Sequence, residues 1–149
     1  MTVTVAEICD GIATTLGAAT GIVTHQSYDE LTEGWADLPM LQVYPESGEV
    51  DVLGDGSQST FRGGSRVHRM NVWVDVPCRA RSHIDEDMAA VVNTLDALTD
   101  VMDAQKVKPY FTVPEIQGFH WTWTRVNFSR GEPAVVYPGV RLVIVVTVF

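Results

Sequence analysis

Hydrophobic residues fall along this chain in two spacings, and the change from one to the other marks out the elements. Val5, Ile8, Cys9, Ile12 and Leu16 recur at steps of three and four, the spacing of one helical face. Thr4, followed three residues later by Glu7, supplies a capping box, so a helix is predicted from about Val5 to Ala18, with Gly17 and Gly21 bracketing its end. A short strand at Gly21–Thr24 is expected next. The acidic, irregular stretch Ser27–Pro39 leads into a strand at Met40–Tyr44, which Pro45 should stop. Residues 46–64 contain Gly48, Gly54, Gly56, Gly63 and Gly64, so they read as a flexible loop or an extended hairpin arm, with Val50, Val52 and Leu53 available to pair in it.

Ser65–Val76 alternates with a period of two. His68, Met70, Val72, Val74 and Val76 share one face, while Arg69, Asn71, Trp73 and Asp75 share the other. A second helix is predicted from about Ile84 to Ala104, with Ser82 as its N-cap and Asp85, Glu86 and Asp87 in its first turn. Its apolar stripe is Met88, Val91, Val92, Leu95, Leu98 and Met102. Strands return at Ile116–Phe128, Ala134–Tyr137 and Val140–Phe149, separated by turns at Ser129–Pro133 and Tyr137-Pro138-Gly139. The expected fold is α+β, a mostly antiparallel sheet packed with two helices in the order α-β-β-β-α-β-β-β, as one domain over residues 1–149.

Composition agrees with that expectation. The 149 residues are 46% hydrophobic and 19% charged, suited to a globular domain that needs neither metal nor disulfide. No apolar run is long enough to span a bilayer. The N-terminus has no secretion signal, so synthesis in the cytoplasm is expected, with Cys9 a buried free thiol.

The net charge of −9 is unevenly spread. No Lys or Arg occurs before Arg62, whereas Arg62, Arg66, Arg69, Arg79 and Arg81 crowd together with only Asp75 among them. An acidic chain disfavours wrapping of nucleic acid. One acidic part and one basic strip suit head-to-tail docking of copies, although both could equally be solvated faces.

Candidate chemistry is sparse. His25, His68, His83 and His120 include no i,i+4 pair, and the acids after His83 are explained by their place at a helix N-terminus. The chain has no Gly-x-Ser-x-Gly elbow, and Gly54-Asp55-Gly56 lacks the strand-to-helix setting of a dinucleotide site. Phe119, Trp121 and Trp123 share a strand face and read as core or protein interface rather than as a stacking platform for bases. A non-enzymatic protein with no cofactor or metal is therefore expected. An enzyme or small-ligand binder would need a pocket lined by Trp73, Trp121, Trp123 and His120.

The whole succession resembles the tail terminator (tail completion) proteins of long-tailed bacteriophages. The likeness lies in the amphipathic first helix, the Pro-flanked strand Leu38-Pro39-Met40-Leu41-Gln42-Val43-Tyr44-Pro45, and a Gly-rich insertion before Arg66–Val74. It extends to the helix segment Ala89–Leu98 and a closing strand after Tyr137-Pro138-Gly139. The resemblance implies a hexameric ring at the head-proximal end of the tail tube, where it ends tail polymerisation and joins tail to head. The implied partners are further copies, the major tail protein and head-neck connector proteins. DNA would be only passing cargo, and no membrane would be involved. Arg62, Arg66, Arg69, Arg79, Arg81, Trp73, Asp55 and Phe61 are the candidate interface residues. The alternative is another neck or minor tail protein of head-closure type.

Overall fold

A computed structural model describes residues 3–32, 34–35, 37–52 and 66–148, with backbone alone for Asp51, Val52 and Arg66. In chain order the elements are α1 (Val5–Gly17), β1 (Thr24–Gln26), β2 (Met40–Val52), β3 (Arg66–Pro77), α2 (Ile84–Asp103), β4 (Ile116–Arg130) and β5 (Val135–Val148). The five strands form one sheet in the order β1-β2-β3-β5-β4. Only β1 and β2 run parallel; every other neighbouring pair is antiparallel. The expected α+β architecture holds.

The pleat decides what each face does. Met70, Val72, Val74 and Val76 on β3 stand beside Val146, Ile144, Leu142 and Val140 on β5, and together they floor the core. Helix α1 lies over β1 and β2, and α2 lies over β5. Helix α1 contributes Ile8, Cys9, Ile12 and Leu16, all completely buried. The Thr4–Glu7 capping box closes its first turn in both directions, at 3.1 and 3.3 Å.

Three sequence expectations change in the structure. Strand β2 does not stop at Pro45 but continues to Val52, because the register shifts between Pro45 and Ser47 and absorbs the missing donor. Residues 47–52 therefore pair with Asn71–Arg66 in a hairpin; residues 53–65, including Asp55, Phe61 and Arg62, lie outside the described residues. The Tyr137-Pro138-Gly139 segment is not a turn, since β5 runs through it and Gly139 pairs with Pro77. A Cβ at Gly139 would strike the Val76 carbonyl and the Phe128 ring, so glycine lets these strands close on each other. The short strand expected at Gly21–Thr24 forms at Thr24–Gln26.

Helix α2 also differs from its expected stripe. Its buried positions are Asp87, Val91, Thr94, Leu98 and Met102, while Met88 and Val92 are 39% and 48% exposed. Its N-cap is His83, not Ser82, and the Ser82 backbone N–H donates to the Asp87 carboxylate at 3.1 Å.

Two outcomes test this packing. Leu98→Ala, which empties a fully buried position, should destabilise the fold by about 2–5 kcal/mol in urea unfolding, whereas Met88→Ala should cost under about 1 kcal/mol. Burial beside Asp10 pushes the Cys9 thiol up to about 11. The unfolded chain then loses that proton first, so stability should fall as pH rises from about 9 to about 11. Cys9→Ala should remove this part of the pH slope in melts across that range.

Candidate interaction surfaces

Both helices pack on the inner face, so the outer face must handle its own polar groups. Asp75 and Arg141 are Cα partners on β3 and β5. Asp75 is only 4% exposed. Arg141 donates to it through Nε at 2.6 Å and Nη2 at 3.3 Å, and the Tyr44 hydroxyl donates at 2.7 Å. This near-bidentate fork satisfies a carboxylate that would otherwise be costly to bury. Desolvation, followed by the hydrogen bond to Asp75, raises the Tyr44 phenol well above its ordinary range. The Arg141 guanidinium also lies 4.2 Å from the centre of the Trp73 ring, with Tyr44 tilted against that ring at 6.3 Å.

A second cluster covers one corner of the same face. Trp35, from the segment between β1 and β2, meets Phe128 and Tyr137 edge-on at 5.6 and 5.2 Å. Met40 completes that small core, and Arg130 caps the Trp35 ring at 4.4 Å. On the β1–β2 side, Gln42 donates to Gln26 at 2.9 Å and to the Thr32 carbonyl at 3.0 Å.

The candidate interface residues do not form one strip. Strand β3 spans 12 residues, roughly 40 Å at the usual rise, and it separates Arg66 and Arg69 from Arg79 and Arg81. Arg69 reaches Glu49 at 3.4 Å. Arg79 ties the β3–α2 connection to Asp87 at 3.1 Å and to Glu86 at 3.5 Å. The Arg81 side chain is exposed, and its backbone N–H donates to Val136. Trp73 is engaged by Arg141 within the chain. Crowding in sequence thus becomes two groups at opposite ends of a strand.

The pocket that an enzyme or small-ligand binder would need, lined by Trp73, His120, Trp121 and Trp123, does not form among the described residues. The register puts Trp73 and His120 on the outer face, while Trp121 and Trp123, opposite Ile144 and Leu142, are on the inner face. Trp123 is 53% exposed at the sheet edge. Helix α2 adds Ile84, Met88 and Val92 as an exposed apolar row. A cleft of about 360 Å³ lies along the hairpin arm between Val5, Pro45, Val50, His68 and Met70.

Among the described residues no three His, Cys, Asp or Glu side chains are placed to hold a metal ion, and no helix is long and apolar enough to cross a membrane. The Asp75–Arg141 pair is the feature that reading the sequence missed. Its signal was present: Arg141 is the lone charge of β5 and Asp75 the lone acid of β3, and the antiparallel register brings them together. A scan against protein-family models and a comparison with curated proteins found no match to this chain.

Removing one partner of a buried ion pair strands the other. Asp75→Asn should therefore lower stability by about 2–4 kcal/mol, and Tyr44→Phe by about 1–2 kcal/mol, in thermal or urea unfolding. Equal and negligible effects from both would show that the outer-face network does not hold the sheet.

Proposed function

We propose that this chain is a structural virion protein that forms a ring at the head-proximal end of a phage tail tube, ending tail polymerisation and joining tail to head. One observation carries the reading: an α+β body whose β2–β3 hairpin continues past the parallel β1 edge and, at Asp51–Val52 against Arg66–Val67, past the last β3–β5 pair as a two-stranded arm. Such an arm is suited to reach a neighbouring copy or an adjacent ring. The order of elements supports the tail-terminator resemblance, and the exposed row on α2 with Trp123 offers a second contact surface for the tube or the neck. In this reading the site of action is the virion neck, and the partners are further copies, the major tail protein and head-neck connectors. No cofactor takes part.

The test is direct. The purified chain, alone and mixed with tubes of the major tail protein, is sized by ultracentrifugation and imaged by electron microscopy. Rings, or tubes capped at one end and no longer growing, are expected. A monomer that neither binds tubes nor limits their length would overturn the proposal, and binding to a head connector but not to tubes would point to a head-closure protein instead.

A further inference from the structure

We infer that copies of this chain join edge to edge, the free side of β4 in one copy adding to the β1–β2 edge of the next. A single sheet then runs through successive copies. The inference deepens the ring-forming reading and rests on it for its biological setting, but its evidence is the geometry of the two edges.

The first edge is β4. It spans 15 residues, ends the sheet, and contains neither Pro nor Lys. A strand of that length with one side unpaired among the described residues presents a row of free donors and acceptors, which proteins that remain monomeric usually block. At its middle, Trp123 is half-exposed, an apolar anchor that an added neighbour would cover. The opposite edge is also open. Strand β1 pairs with β2 only from Met40 to Gln42, so among the described residues the outer side of Ser47–Val52 has no strand against it.

Direction makes the two edges compatible. Strand β2 is antiparallel to β3, β3 to β5, and β5 to β4, so β2 and β4 run oppositely. A second copy set beside the first in the same orientation brings its β2 antiparallel to β4 and keeps its helices on the same side of the sheet. The joint uses two different surfaces, so it leaves one of each free at the ends and can close only as a ring.

Charge favours this pairing over β4 on β4. Strand β4 carries Arg125 and Arg130 and no acid. Lys108 is held at its start by a 2.6 Å hydrogen bond to Gln117. Glu115 and Glu132 lie just beyond its two ends, and the outer side of α2 adds Asp96, Asp100 and Asp103. The α1–β1–β2 side has no Lys or Arg, and it presents Asp29 and Glu30 after β1 and Glu46 and Glu49 on β2. Arg69 on β3 reaches Glu49, an exposed pair that offsets little of this field. The ladders place Gly48, Met70, Val146 and Phe119 in one row, and Gln26, Gln42, Asp75, Arg141 and Thr124 in another. At equal height, the arm of the next copy meets the Lys108 end of β4, and its Asp29–Glu30 turn approaches Arg125. Two β4 strands would instead set Arg125 and Arg130 against a strand that itself has no acid.

Charge reversal with mixing tests the joint. One variant reverses the β4 side (Lys108→Glu with Arg125→Glu); the other reverses the opposite side (Glu30→Lys with Glu49→Lys). Each alone, with an unchanged melting curve, should self-associate at least about tenfold more weakly than the parent chain in sedimentation, and an equimolar mixture should recover association. In parallel, Gln117→Cys in one mass-tagged population and Glu49→Cys in another should be joined across populations by a short bismaleimide, with Cys9 and Cys78 buried and silent. Rings that persist unchanged in both variants would overturn the edge joint and leave the ring reading intact. Recovery on mixing by assemblies that ignore tail tubes would support the joint and defeat the tail assignment. Folded variants that lose association without recovering it on mixing, or the absence of a cross-population product, would overturn the joint.

Discussion

The rest of the molecule hangs on the antiparallel ladder between β3 and β5. It runs from His68 opposite Val148 to Pro77 opposite Gly139, in the middle of the sheet. Successive side chains on a strand point to opposite faces, so a shift of one residue here would exchange the two faces completely. The observed register puts Met70, Val72, Val74 and Val76 with Val146, Ile144, Leu142 and Val140 under the helices. It also commits Asp75 and Arg141 to the other side, where only each other and Tyr44 can satisfy them. One pairing thus sets both the apolar core and the polar network.

That commitment explains the character of the two faces. The inner face is closed by α1 and α2 and buries most of the aliphatic side chains. Among the described residues the outer face has no helix, yet Asp75 is nearly inaccessible because Arg141, Trp73 and Tyr44 roof it with flat groups. Guanidinium stacked on indole satisfies the charge and covers apolar area at once. The opportunities for contact therefore lie at the rims: two strand edges, the arm, and the exposed row on α2.

Much of the fold was legible because its signals are local. The capping box at Thr4 and Glu7 and the two-residue alternation of β3 depend on neighbouring residues alone. What escaped depended on partners far away in sequence. Pro45 looks like a stop until β2 is seen to be nearly an edge strand beyond Gln42, where a missing N–H costs little. The Tyr137-Pro138-Gly139 segment has turn composition, but the close approach of Val76 and Phe128 is what requires its glycine. Met88 and Val92 suit a buried stripe by spacing, yet the axis of α2 turns its Asp87–Thr94–Met102 side inward. The candidate surfaces suffered most, since Arg66 to Arg81 are neighbours in sequence and separated by the length of β3 in space.

The segment between β1 and β2 has a mechanical meaning. Its polar anchors, Thr32 against Gln26 and Gln42, sit over β1 and β2, and its aromatic anchor, Trp35 on Phe128 and Tyr137, sits over β4 and β5, both on the outer face. Only two residues of chain, 33 and 34, separate the anchors. Each strand of a free sheet can rotate against the next, by about 20–25° on average. A strap of fixed length, pinned at both ends, takes up that freedom and holds the sheet to one twist. The angle between the first and last strands thereby becomes a property of the strap as much as of the ladder.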